Sequence, residues 1–228
     1  MEKEYDFYGG KKIIMDDRFF KLTTDTVLLS SFVRAKAGER GIDLGCGIGC
    51  LGLLCELRTP GAVFDGVEIT EGAASLAKRN YENCGGKGEI FTGDIADFSP
   101  GRVYGLAVFN PPYFAGTGGK KSASESIAAA RHADASLFFK AAARCLEPCG
   151  RVYFCMRCDL LPGALEKAAA AGIYLKRARL VCEREGAGFT TVLCEAGFEK
   201  SRAVYEKPLV LRDGDGYTEE YKEIYGIR

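Results

Sequence analysis

The residues best suited to chemistry form one short turn, Asn110-Pro111-Pro112-Tyr113, directly after the apolar run Gly105–Phe109. Two consecutive prolines fix φ and exclude helix, so this turn is rigid. A plain rigid loop is one use of it; a preorganised pair of hydrogen-bond acceptors is another. An exocyclic amino group on an aromatic ring is a poor nucleophile, because its lone pair is delocalised into the ring. If Asn110 Oδ1 and the Pro111 carbonyl each accept one of its N–H groups, the nitrogen can move toward tetrahedral geometry. Its lone pair then points outward, at an electrophilic methyl group. Pro111 and Pro112 hold the acceptors still, and Tyr113 offers a flat face on which a planar substrate stacks. No strong general base is required, since methylation leaves a cationic nitrogen that readily loses its proton. Phe114 adjoins this catalytic set as a substrate contact.

A second constellation lies upstream. Ile42-Asp43-Leu44-Gly45-Cys46-Gly47-Ile48-Gly49 follows one apolar run and opens a helix-like segment. Glycines there let a ligand approach the backbone closely. The spacing is Gly-x-Gly-x-Gly; a dinucleotide fingerprint would place its third glycine at position 50, which is Cys50. Glu68 closes the next run and can accept hydrogen bonds from both hydroxyls of a ribose. Asp94 closes the run after that and can accept from an adenine amino group, with Ile95 packing on the ring. Alone, Asp94 reads more readily as a helix cap or turn residue. Together, Asp43, Gly45, Gly47, Gly49, Glu68, Asp94, Ile95 and the neighbouring Asn110 make the pattern of an S-adenosylmethionine site, with no metal.

These residues need a scaffold that brings successive strand ends together. Residues 42–197 alternate strand and helix patterns, the mark of an α/β fold with a mostly parallel sheet. Buried strands are predicted at Gly41–Leu44, Val63–Val67, Glu89–Phe91, Gly105–Phe109 and Arg151–Cys155. Helices are predicted at Cys50–Leu57, Glu71–Asn83, Ala135–Leu146 and Leu160–Ala171. Thr70 is placed to cap the second, and Gly172 to end the last. Ile173–Glu183 and Phe189–Ala196 then form a terminal hairpin about Arg184–Gly188, with one strand antiparallel to the rest. Such an arrangement is typical of the class I, Rossmann-like methyltransferases. Ahead of the sheet, Lys11–Met15 reads as a short strand, and Thr24 or Asp25 caps a helix through Val33. The chain reads as one domain, 1–228, with an N-terminal extension (about 1–38) and a polar tail (about 205–228). That tail turns at Asp213–Gly216 and ends in a strand or loop and a short helix.

Charge and composition narrow the partners. Thirty-one basic and 31 acidic side chains give no net charge, so any nucleic-acid contact must rest on local basic patches. The N-terminus is charged and no apolar run is long enough to span a membrane, which points to the cytoplasm and to no membrane partner. Ten cysteines sit mostly in apolar runs and read as buried, reduced thiols. Cys155 and Cys158 form half of a zinc ligand set with no second pair to complete it.

In this order, the glycine loop, Glu68, Asp94 and Asn-Pro-Pro-Tyr resemble the N6-adenine and glutamine-N5 branch of class I methyltransferases. Phe20–Leu29 resembles the lead-in helix of the bacterial tRNA1(Val) adenine-N6 methyltransferase family. So do Ala130-Arg131-His132, Pro208-Leu209-Val210-Leu211 and Asp215-Gly216-Tyr217-Thr218. The resemblance implies a seven-stranded sheet, S-adenosylmethionine converted to S-adenosylhomocysteine, and a tRNA substrate methylated on the adenosine 3′ of the anticodon. It also implies that Thr23 and Asp25 line the methionine end of the cofactor. The glutamine-N5 alternative shares the turn but usually carries a separate helical domain, for which the lead-in leaves no room by ordinary domain sizes. One departure is Glu183–Gly188, close to neutral where the family carries a basic stretch. Candidate RNA contacts are therefore Lys11, Lys12, Arg18, Lys120, Lys121 and Arg131, with His132 as a loop hydrogen-bonder or substrate contact.

Overall fold

A computed structural model describes residues 1–19, 21–111 and 134–226. The lead-in forms a two-stranded antiparallel sheet, β1 (Glu2–Asp6) on β2 (Lys12–Asp16), followed by α1 (Thr24–Phe32). Buried apolar runs pair as parallel strands where helices cover both of their faces. Here β3 (Arg40–Leu44), β4 (Val63–Glu68), β5 (Ile90–Thr92), β6 (Tyr104–Phe109) and β7 (Leu146–Arg157) do so, in the spatial order β5-β4-β3-β6-β7. The connecting helices are α2 (Cys50–Arg58), α3 (Glu71–Cys84), α4 (Ala135–Cys145) and α5 (Leu161–Ala170).

Beyond β7 the hairpin of β8 (Tyr174–Arg184) and β9 (Phe189–Gly197) doubles back. β9 inserts between β7 and β8 and runs antiparallel to both. These seven strands are the expected sheet. It continues through the tail: β10 (Val204–Tyr205) and β11 (Leu209–Asp213) each lie parallel to β8, and β12 (Gly216–Tyr217) folds back on β11. A short helix, α6 (Glu219–Tyr225), follows, with Thr218 Oγ1 accepting from Tyr221 N at 3.3 Å.

The period of two along β6 divides the core. Leu106 and Val108 join α1, α2, α3 and α6 on one face, while Ala107 and Phe109 join α4 and α5 on the other. Phe109 stacks on Phe154, with ring centres 5.6 Å apart, and meets Phe139 edge-on. Among the described residues, no helix is long and apolar enough to cross a membrane.

Three local expectations are corrected. The cap of α1 is Thr23, whose Oγ1 accepts from Thr26 N at 3.3 Å, rather than Thr24 or Asp25. Thr70 does occupy the N-cap position of α3, but its side chain makes no cap bond; Glu68 Oε1 accepts from the Thr70 N–H instead. The strand predicted at Arg151–Cys155 begins five residues earlier, at Leu146.

Candidate active site

The glycine loop leaves β3 and enters α2. Gly45, Gly47 and Gly49 have φ of 69°, 56° and 84°, in the left-handed region that side chains disfavour. Their surroundings differ. A Cβ on Gly49 would lie 3.0 Å from the Tyr81 ring, and one on Gly47 would meet nothing within 4 Å among the described residues. Gly49 is thus a packing glycine as well as a turn glycine, whereas Gly47 has open space beside its backbone. Cys46 N donates to Val67 O at 2.9 Å, and Gly47 N donates to Glu68 Oε2 at 2.9 Å. The end of β4 therefore holds the loop through both its backbone and its carboxylate.

Asp43 lies beneath the loop. It is 1% exposed, and its Oδ2 accepts from Gly52 N at 2.9 Å, tying β3 to the first turn of α2. Burial pushes its carboxyl up to about 7, against the opposing pull of that N–H. Burial likewise raises the thiols of Cys46 and Cys50, so neither is an activated nucleophile.

At the end of β5, Asp94 is exposed, and its Oδ1 accepts from Ala96 N at 2.8 Å, which makes a side-chain-supported turn. Ile95 is buried against the α4 face. Sequence reasoning missed Arg144 of α4, whose Nη2 donates to the Ile95 and Ala96 carbonyls at 2.6 and 2.8 Å and so fixes this turn.

Asn110 follows β6 and is half-buried; Pro111 is buried. The N-terminal turn of α1 meets Asn110 here. Asn110 Nδ2 donates to Thr26 Oγ1 at 3.1 Å, and Cys155 Sγ, on β7, donates to Asn110 Oδ1 at 3.4 Å. The same thiol lies 3.9 Å from the Asp25 carbonyl, and Thr191 Oγ1, on β9, donates to Asp25 Oδ1 at 3.3 Å. Burial raises the Asp25 carboxyl above its ordinary value, and the Thr191 bond opposes that rise. The structure thus brings Thr23, Asp25 and Asn110 into one cluster. It adds Thr26, Cys155 and Thr191, which no motif marks. Cys155, weighed as half of a zinc pair, is instead a fully buried neighbour of Asn110.

Lys11, Lys12 and Arg18 lie on the lead-in. Lys11 and Lys12 are exposed, and Arg18 forms a two-pronged pair with the buried Asp16, Nε to Oδ1 and Nη2 to Oδ2, both at 3.0 Å. That pairing holds the Asp16 carboxyl well below the usual range. Pro112, Tyr113, Phe114, Lys120, Lys121, Arg131 and His132 lie outside the described residues. Among the described residues, no group of three or more His, Cys, Asp or Glu side chains is arranged to hold a metal.

The residues at the strand ends fit a nucleoside carrying an amino-acid chain. Gly47 has room beside its backbone among the described residues, Glu68 presents a carboxylate next to it, and Asp25 carries a second carboxylate, held by Thr191. A sheet of this strand order, with the glycine turn after its central strand, is that of the class I S-adenosylmethionine-dependent methyltransferases. The family model described as methyltransferase small domain matches residues 21–162, and the chain belongs to that family.

Comparison with individual proteins agrees. A protein of Glaesserella parasuis serovar 5, named tRNA1(Val) (adenine(37)-N6)-methyltransferase, is 23% identical over 209 residues, covering 91% of this chain and 89% of its own. A solved predicted O-methyltransferase from Agrobacterium tumefaciens superposes with a TM-score of 0.71 at 17% identity, over 90% of this chain and 97% of its own. A TehB-like SAM-dependent methyltransferase from Corynebacterium glutamicum gives 0.53 at 16% identity, over 76% and 86%.

Proposed function

We propose that this methyltransferase modifies the exocyclic N6 of an adenosine in tRNA, the adenosine 3′ of the anticodon of tRNA1(Val). The observation that carries the reading is the position of Asn110. Its carboxamide stands where β6 ends, next to the central strand β3, with a proline carbonyl immediately after it. The names borne by relatives that match most of the chain support the choice of substrate.

S-adenosylmethionine, when bound, supplies the electrophilic methyl group. The chain does the rest by holding groups in place. Gly45, Gly47 and Gly49 admit the ligand to the backbone. Each Glu68 oxygen already accepts one backbone N–H and retains a lone pair for a ribose hydroxyl. Asp94 accepts from the adenine amino group beside Ile95, and Thr23 and Asp25 face the amino-acid end. Asn110 Oδ1 and the Pro111 carbonyl take the two N–H groups of the target amine, with Pro112 stiffening the turn and Tyr113 stacking on the base. Lys11, Lys12, Arg18, Lys120, Lys121 and Arg131 supply the RNA contacts, joined by His132 and Phe114. The whole chain acts as one methyltransferase domain, in the cytoplasm.

The test is incubation with methyl-labelled S-adenosylmethionine and either bulk tRNA or a release-factor preparation. Label in tRNA, recovered as N6-methyladenosine after nucleoside digestion, is the expected result. Label in protein and none in RNA overturns it in favour of glutamine-N5 transfer, the reading that the absence of net charge favours.

A further inference from the structure

An acceptor amide works only in one of its two flipped orientations. Oδ1 must face the substrate N–H; the reverse orientation sets one donor against another. A residue standing in a turn after a strand gets no such bias from its own backbone, so neighbouring side chains must supply it.

The Asn110 amide is gripped at both ends. Its Nδ2 donates to Thr26 Oγ1 at 3.1 Å, and Thr26 Oγ1 lies 3.1 Å from Thr23 Oγ1. Thr23 Oγ1 is already an acceptor, since it caps α1 by taking Thr26 N at 3.3 Å. A consistent chain therefore runs from Asn110 Nδ2–H to Thr26 Oγ1, and from Thr26 Oγ1–H to Thr23 Oγ1. At the other end, the buried Cys155 thiol donates to Asn110 Oδ1 at 3.4 Å, on one of its two lone-pair sites. These partners come from two elements, the capped N-terminus of α1 and the strand β7, and Thr26 is itself buried.

We propose that Thr26 and Cys155 are positioning residues that set the orientation of the Asn110 carboxamide, so that Oδ1 rather than Nδ2 meets the target amine. The proposal rests on the acceptor role given to Asn110 above. It makes the cap of α1 part of the acceptor apparatus: the hydroxyl chain that starts at the helix N-terminus decides which way the amide points.

The test pairs each near-isosteric loss with a conservative replacement: Thr26→Val against Thr26→Ser, and Cys155→Ala against Cys155→Ser. With bulk tRNA as substrate, Thr26→Val should lower kcat about tenfold with KM unchanged, the size expected for one lost hydrogen bond. Cys155→Ala should lower it less, since a thiol is a weak donor, and both serine variants should recover most of the loss. Independently of turnover, the side-chain amide protons of Asn110 are identified in a nitrogen-resolved NMR spectrum by their loss in Asn110→Ala. They should exchange with water faster in Thr26→Val than in the wild-type chain. Unchanged kcat and unchanged amide exchange in Thr26→Val overturn the proposal. So does equal damage in Val and Ser variants, which marks a packing role. Asn110→Ala separates the two readings: if that variant still transfers methyl, the acceptor role itself fails, whereas its inactivity beside a fully active Thr26→Val sinks only the positioning role.

Discussion

Asn80 of α3 and Ile14 of β2 exchange a matched pair of hydrogen bonds: Asn80 Oδ1 accepts from Ile14 N at 2.7 Å, and Nδ2 donates to Ile14 O at 3.1 Å. The side-chain amide thus acts as a short piece of strand paired to the lead-in. The same Nδ2 donates to Ile48 O, in the glycine loop, at 3.0 Å. One fully buried side chain therefore couples the N-terminal extension to the glycine loop. Replacing Asn80 by Ala leaves buried backbone groups unpaired, and should cost about 2–4 kcal/mol of stability. Denaturant unfolding measures this, and titration with S-adenosylmethionine should show weaker binding in the same variant. An unchanged affinity would mean the loop keeps its shape without α3.

Gly47 and Gly49 should fail in different ways. Gly47→Ala keeps a left-handed φ under strain of roughly 1 kcal/mol, by the known cost of that region, but puts its methyl into open space beside the backbone. Cofactor affinity should fall far more than thermal stability. Gly49→Ala adds a clash with the Tyr81 ring to the same strain, so its melting temperature should drop further. Calorimetric titration and thermal melts on the two proteins give the comparison; the reverse ranking would show that Gly47 does not border the ligand.

The Asp43 carboxyl, pushed up to about 7 by burial, predicts a pH dependence with a definite sign. An acid whose pKa is higher folded than unfolded binds its proton more tightly when folded. Its contribution therefore favours the fold at low pH, and that advantage is lost as pH rises from the ordinary aspartate range to about 7. Asp43→Asn removes the titration while keeping an acceptor for Gly52 N. Its stability relative to wild type should increase by about 2–3 kcal/mol between pH 5 and 7 and then level off. Denaturant melts across that range check it, and a constant difference between the two proteins would refute it.

Arg177 of β8 is the buried hub of the far side of the sheet. It pairs with Glu195 at 2.6 Å and Glu206 at 2.8 Å, donates to Phe32 O at 2.9 Å and lies 3.6 Å from the Phe32 ring centre. Arg177→Ala strands the Glu195 carboxylate and the Phe32 carbonyl and leaves Glu206 with Arg34, and should destabilise by about 3–5 kcal/mol. For a chain of this size that is a melting-temperature drop on the order of 10 °C. A drop of only a degree or two would mean that water replaces the guanidinium.

Most of the parallel sheet was legible because β6 and the centre of β7 are continuous apolar runs, and β3 and β4 are largely apolar runs each broken by one buried aspartate, Asp43 and Asp65. The ends of the sheet were not. β1 is fully exposed and mostly charged, so it has neither alternation nor apolar run to mark it, and β10 and β12 are two residues each. The cap of α1 lay within Thr23-Thr24-Asp25-Thr26, four consecutive residues that can all cap; only the tertiary position of the helix selects Thr23. In the site, the direct bond from Gly47 N to Glu68 Oε2 goes beyond what the spacing of the two residues conveys. Thr26 and Cys155 reach Asn110 across 84 and 45 residues, and no local pattern announces such contacts. Asp43 belonged to the motif by sequence, yet its bond to Gly52 puts it under the loop, because alternate residues of a strand point to opposite faces.

The tail strand has a consequence for how the molecule behaves in company. β8 is 11 residues long, and without a neighbour beyond it that strand would show a row of unsatisfied N–H and C=O groups, a ready template for another chain. β10 and β11 occupy that row, and the sheet then ends on the two residues of β12; its other margin is the three-residue β5. Neither rim is long enough to recruit a stranger's strand. The tail thus closes the long side of β8 to pairing with another chain.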